Sequence, residues 1–106
     1  MERLEYRVRG SGTDEFGGAQ EALVGVVGSG NLEVMIEPAD LGGDCLAIIE
    51  TSITGFGAIW QQVVEDFFAR NRLGNVKVSI NDGGATPAVV SLRLDQALAH
   101  LREQQA

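Results

Sequence analysis

The sequence predicts an α+β protein in which one long helix (about residues 56–72) and a short C-terminal helix pack on one face of a small, mostly antiparallel sheet. Three observations carry that expectation. Several short segments alternate apolar and polar residues, the period of a half-buried strand. Glycine-rich turns such as Gly28-Ser29-Gly30-Asn31 and Asp82-Gly83-Gly84 separate them. One segment, Ile59 to Phe68, instead repeats its apolar residues at the helical period.

The first strand is expected over Leu4 to Arg9, where Leu4, Tyr6 and Val8 alternate with Glu5, Arg7 and Arg9. Residues 10–18, with four glycines beside Ser11, Thr13 and Asp14, read as a flexible loop. Ala22 to Val27 and Leu32 to Glu37 form the arms of a hairpin whose tip is Gly28-Ser29-Gly30-Asn31. In the second arm Leu32, Val34 and Ile36 share one face, and Glu33, Met35 and Glu37 the other. Pro38 to Asp44 is a turn and Cys45 to Ser52 a strand. Ile59, Trp60, Val63, Val64, Phe67 and Phe68 then form a broad stripe on the long helix. Its stop is expected at Gly74, in the left-handed position just beyond Arg70 and Arg72. Asn75 to Asn81 is a further strand, turning at Asp82-Gly83-Gly84. Thr86-Pro87 fits the N-cap and first position of a helix, but β-branched Val89-Val90 and a change of period after Asp95 favour a strand over 88–94 and then a short helix.

Composition narrows function mainly by exclusion. The chain has 106 residues, enough for one domain with one modest core and no large enclosed active site. Its net charge of −7, with only eight scattered basic residues, argues against nucleic acid and against an anionic membrane surface. The single cysteine, Cys45, excludes an internal disulfide and a multi-thiolate zinc site. The charged N-terminus has no apolar signal segment, and no apolar run is long enough to span a bilayer, so a cytoplasmic protein is expected.

No catalytic constellation emerges. His100, the only histidine, lies near the end of the last helix and reads as solvated; nothing brings it to Ser29 as a triad requires. Ser29 lacks the glycine spacing of a nucleophile elbow. Gly25-Val-Val-Gly28-Ser29-Gly30 is neither a P-loop nor a dinucleotide-binding fingerprint. Asp40, Asp44 and Glu50, or Glu33 and Glu37, are too loosely arranged for a metal, and Glu65 and Asp66 belong to the wet side of the helix. Cys45 reads as a buried filler. What remains is Ser29 between Gly28 and Gly30: a hydroxyl with unshielded surroundings suits a modification site, and Gly-Ser-Gly-Asn equally suits an ordinary turn.

Three segments shift that balance. Val26-Val-Gly-Ser-Gly-Asn-Leu-Glu-Val34, Thr51-Ser52 ahead of Gly55-Phe-Gly-Ala-Ile-Trp60, and Asn81-Asp-Gly-Gly-Ala-Thr-Pro-Ala-Val-Val-Ser-Leu-Arg-Leu94 resemble the acyl carrier (delta) subunit of bacterial malonate decarboxylase, over about Leu23 to Leu98. The acyl carrier subunit of citrate lyase is a more distant likeness. The resemblance implies that residues 1–106 form a single malonate decarboxylase acyl-carrier-like domain, a non-catalytic carrier. It implies 2'-(5''-phosphoribosyl)-3'-dephospho-CoA on Ser29 by a phosphodiester, with Gly28, Gly30 and Asn31 as the supporting turn. The thiol of that group would carry acetyl and then malonyl, for conversion of malonate to acetate plus CO2. The implied partners are the acyl-transferase and decarboxylase subunits, the malonyl transferase and the phosphoribosyl-dephospho-CoA transferase. Two departures stand out. Asn31 takes the place of the family's usual acid, and Asp82-Gly83-Gly84 that of a more usual Asp-aromatic or Asp-Phe-Gly form. The Ala85-Thr86-Pro87-Ala88 stretch reads either as a structural hairpin exit or as part of a surface for other subunits. The rival from another class is an unmodified α+β protein-binding or assembly module.

Overall fold

In a computed structural model of the chain, residues 1–12, 15–16, 25–29 and 31–104 are described, with residue 29 described by its backbone. In chain order these comprise β1 (Glu2–Val8), β2 (Gly25–Ser29), β3 (Leu32–Pro38), β4 (Cys45–Thr51), α1 (Gly57–Asn71), β5 (Val76–Asp82) and α2 (Pro87–Glu103). The strands form one sheet in the order β1-β4-β5-β3-β2.

Alternation decides which side of the sheet is buried. Leu32, Val34 and Ile36 of β3, Cys45, Ala47 and Ile49 of β4, and Val76, Val78 and Ile80 of β5 all face the core. The helices cover that face: α1 contributes Trp60, Val64, Phe67 and Phe68, and α2 contributes Val90, Leu94, Ala97, Leu98 and Leu101. The other face presents the alternate residues, with Glu33, Glu50 and Asn81 exposed and Met35 and Ile48 half-buried.

The sheet is mixed, where a mostly antiparallel one was expected. The β1–β4, β2–β3 and β3–β5 pairs are antiparallel, but β4 and β5 run parallel. The reason is connectivity: α1 separates them, and a helical crossover returns the chain to the end where it started.

A second correction concerns residues 88–94, which are helical. The Thr86 hydroxyl accepts a 3.4 Å hydrogen bond from the Val89 N–H, and Pro87 takes the first turn. The period-two set Val90, Leu92, Leu94 misled, because Leu92 is exposed and the buried set steps at helical spacing instead. Burial of that stripe overrides the modest β preference of two valines. The C-terminal helix is therefore not short: it has 17 residues against 15 in α1. Pro87 starts a helix instead of leaving a hairpin.

Two smaller expectations also change. The left-handed residue ending α1 is Arg72 (φ 47°, ψ 56°), whose N–H reaches the Phe68 carbonyl at 3.1 Å. Gly74 is needed for space, since a Cβ there would sit 3.0 Å from the Gly43 carbonyl oxygen. Within the expected loop 10–18, Phe16 is fully buried in the core. Residues 13–14, 17–24 and 30, including the start of the first hairpin arm, lie outside the described residues.

Candidate functional site

Ser29 is the last residue of β2 and pairs with Leu32, so only residues 30 and 31 connect the strands. A two-residue connection is the tightest common hairpin, and glycine and asparagine suit it because they tolerate positive φ. Gly28 and Asn31, two of the predicted supporting residues, are exposed beside it; Gly30 lies outside the described residues. A Cβ added at Gly28 would meet nothing within 4 Å, so the sheet face to which Gly28 belongs is open at that position.

The hairpin is nevertheless anchored on both sides. At its base, Gly25 lies against α2: a Cβ there would collide with the Ala97 carbonyl and come within 2.9 Å of Leu101 Cβ. His100 Nδ1 sits 3.3 Å from both the N–H and the carbonyl of Val26. It accepts from the first or donates to the second according to its tautomer. His100 is thus a tether between α2 and β2, where a merely solvated residue was expected. At the tip, the Gly83 N–H donates a 2.7 Å bond to the Asn31 carbonyl.

That loop is fixed in turn by Asp82. One of its oxygens accepts from the Thr51 hydroxyl at 2.8 Å, the other from the Ala85 N–H at 2.8 Å. Thr51 and Asp82 are the buried polar residues at the carboxyl ends of the parallel pair. The Thr51 hydroxyl also accepts from the Ile53 N–H at 3.1 Å, which holds the start of the β4–α1 connection. The Thr51–Asp82 hydrogen bond therefore links the two loops that flank this end of the sheet.

Two depressions open there. One, about 380 Å³, lies on the open face of the sheet beside Gly28 and Asn31 and is lined by Glu33, Glu50 and Asn81. The other, about 350 Å³, is apolar and lies between the two loops. Ile53, Phe56, Ile59, Trp60, Ala85 and Pro87 line it, and Ile53, Phe56 and Ile59 are each more than 40% exposed. Sequence reasoning missed this groove. Ile59 and Val63 belonged to the apolar stripe of α1, and only the packing shows that the core uses Trp60, Val64, Phe67 and Phe68 while the stripe's edge faces outward.

The remaining candidates are occupied elsewhere. Cys45 is buried, its thiol donating to the Leu73 carbonyl at 3.4 Å, and burial pushes its pKa up to about 11. Such a thiol stays protonated and is no nucleophile at neutral pH. Asp44 pairs with Arg7 at 2.9 Å, which holds its carboxyl below the usual range. Asp66 pairs with Arg70 at 2.9 Å, and Glu65 accepts from Gln61 at 3.1 Å. Glu50 lies 3.9 Å from Arg3. Among the described residues no His, Cys, Asp and Glu side chains gather as metal ligands, and no helix is long and apolar enough to cross a membrane.

Comparison with known proteins gives a consistent result. The sequence profile of the malonate decarboxylase delta subunit, an acyl carrier protein, matches residues 19–101. The chain is 57% identical over 101 residues to the malonate decarboxylase acyl carrier protein of Burkholderia cepacia, covering 95% of this chain and 91% of that protein. It is 56% identical over 102 residues to the protein so named from Xanthomonas euvesicatoria, covering 96% of each. Its fold superposes on a chain of a Pseudomonas malonate decarboxylase hetero-tetramer solved in complex with malonate, with a TM-score of 0.74 and 30% identity, over 95% of this chain and 99% of that one.

Proposed function

Because the chain belongs to the malonate decarboxylase delta-subunit family, a family of acyl carriers and not of catalytic subunits, we propose that it carries the acyl group of a malonate decarboxylase on a prosthetic arm esterified to Ser29. The observation that carries the attachment point is the hairpin itself. Ser29 ends an edge strand whose hairpin is held by α2 at its base and by the Gly83 N–H at Asn31, and this braced end of the sheet supports an attachment point there. The arm is 2'-(5''-phosphoribosyl)-3'-dephospho-CoA, whose thiol holds acetyl or malonyl as a thioester and so supplies the exchangeable bond that no side chain of this protein provides.

The protein's own part is positional. The pairing of Ser29 with Leu32 sets where the arm leaves the sheet, and Asp82 holds the adjoining loop that bonds Asn31. The whole chain acts as a single carrier domain in the cytoplasm. It delivers the arm in turn to an acyl-transferase subunit, decarboxylase subunits and a malonyl transferase within a multi-subunit complex. Its net charge of −7 favours rapid, reversible encounters with basic surfaces over tight binding. Asn31 supports this turn as the family's acid would, since its exposed side chain leaves the backbone carbonyl to make the contact with Gly83.

The test is the intact mass of the chain co-produced with its transferase, followed by peptide mapping. A phosphoribosyl-dephospho-CoA adduct on Ser29 is expected. Ser29→Ala should retain the fold and abolish decarboxylation by the reconstituted complex. An unmodified mass under those conditions supports the other reading, an unmodified assembly module, for which the exposed Phe56 and Ile59 would be the contact surface.

A further inference from the structure

The groove between the β4–α1 and β5–α2 connections is left unexplained by a carrier whose only duty is to present Ser29. It lies beyond the carboxyl ends of the parallel strands β4 and β5, between the loops that follow them. Its walls come from two of the three segments that carry the family likeness, 51–60 and 81–94, and the third segment, with Ser29, is fastened to its rim. Gly83 bonds the Asn31 carbonyl, and Gly84 lies between Asn31 and Ile53: a Cβ there would sit 3.8 Å from Ile53 Cγ1 and 4.0 Å from Asn31 Nδ2. The way from the hairpin into the groove therefore crosses two residues without side chains. In the register of the sheet, Ser29 opposes Leu32 and Leu32 opposes Asp82, which places the Ser29 backbone about 10 Å from the groove's inner edge. That is well within reach of an extended pantetheine-type arm.

We propose that this groove shelters the outer end of the arm borne by Ser29 when the arm ends in an uncharged acyl thioester, and releases it when the acyl group carries a carboxylate. The inference rests on the carrier reading. Its volume of about 350 Å³ falls in the range of small-molecule sites, and its lining of Ile53, Phe56, Ile59, Trp60, Ala85 and Pro87 suits geminal methyls, a thioester and an acetyl methyl. Tethering supplies a local concentration on the order of millimolar, so a weak intrinsic affinity is enough to fill it. The discrimination follows from charge. Among the described residues the groove's lining includes no cation and Asp82 is its ionisable member, so a terminal carboxylate entering it would be desolvated without a partner. The acetyl form is thereby protected from hydrolysis between encounters, and the malonyl form stays extended and available to a decarboxylating subunit.

The test uses the full-length chain carrying the arm, its mass first confirming an adduct on Ser29, examined by NMR in the acetyl and the malonyl form. In the acetyl form, cross-relaxation from the acyl methyl and geminal methyls to the Phe56 and Trp60 rings is expected, with amide shifts at Ile53, Phe56, Ile59 and Gly84. In the malonyl form those cross-peaks should fall at least tenfold. Ile59→Glu, at an exposed position, should remove them from the acetyl form while leaving the rest of the spectrum in place; Phe56→Gln serves the same purpose should the first variant disturb α1. A confirmed adduct without these cross-peaks overturns the groove's role and leaves the carrier reading intact, whereas a chain that acquires no adduct overturns both. Cross-peaks of equal strength in the two forms overturn the charge discrimination. Protection of the groove only on adding another subunit assigns it to that partner and overturns the proposal.

Discussion

Asp82→Ala tests the frame of the site. Asp82 is 8% exposed and accepts two hydrogen bonds of 2.8 Å, from the Thr51 hydroxyl and the Ala85 N–H. Hydrogen bonds to charged groups each contribute about 1.5–3 kcal/mol net, and stranded buried donors raise the loss towards the upper end. The Thr51 hydroxyl has a second, longer acceptor in the Ile53 carbonyl at 3.4 Å, and the Ala85 amide is only half-buried, so both recover part of the cost. The expected destabilisation is about 3 kcal/mol. With a urea dependence near 2 kcal/mol per molar, the midpoint of chemical unfolding should fall by about 1.5 M. Asp82→Asn should cost about half as much, because its amide oxygen can still accept from Ala85 while its amino group donates to Thr51. Thr51→Val removes the other end of the same bond, so the double variant with Asp82→Ala should be less destabilised than the sum of the singles by about 1.5 kcal/mol. Additive singles, or an Asp82→Ala midpoint within 0.25 M of the parent (about 0.5 kcal/mol), would refute the claim that this pair ties the two loops together.

Two further outcomes follow from the packing. Gly25→Ala places a methyl against the backbone of α2 at Ala97 and Leu101, so a stability loss of about 2–3 kcal/mol is expected, read as a fall in melting temperature; an unchanged value would mean that α2 is not seated on β2 as described. The Cys45 thiol has a folded pKa of about 11, above its usual 9.0, so the folded state holds its proton more tightly than the unfolded chain does. Stability from this group is therefore complete below about pH 9 and is lost as pH rises towards 11, by up to about 2 kcal/mol. Cys45→Ala should flatten that alkaline limb, and unfolding curves at pH 8 and pH 10.5 for both proteins provide the comparison.

Much of this molecule was legible as a sequence because strand alternation is a local signal. Leu32, Val34 and Ile36, or Val76, Val78 and Ile80, declare their buried face without reference to any partner strand, since the side-chain period is set by the backbone alone. The stripe of α1 is equally local. The hairpin followed from turn chemistry, but its expected four-residue tip Gly28-Ser29-Gly30-Asn31 was too long, because Gly28 and Ser29 pair with Glu33 and Leu32 as the end of β2; the family likeness came from three short segments. Local signals failed at residues 88–94. There the pattern Val90, Leu92, Leu94 fits a strand as well as a helix, and the decision lay with the Thr86-Pro87 start and with burial of Val90, Leu94, Leu98 and Leu101 against β2 and β3. Arg72 in the left-handed position shows the same limit: Gly74 was the better local candidate, but the approach of the Gly43 carbonyl claimed it for another purpose.

The sequence by itself determined the composition of the core faces and the position of the hairpin beside Ser29, both of which depend on neighbours within a few positions of one another. Only the tertiary structure decided that β4 and β5 run parallel, that Thr51 and Asp82 meet at their ends, and that Ile53, Phe56 and Ile59 open a groove beside the hairpin. Those features join residues about thirty or more positions apart. Their free energy comes from burial and buried hydrogen bonding between elements, terms that no window of sequence contains.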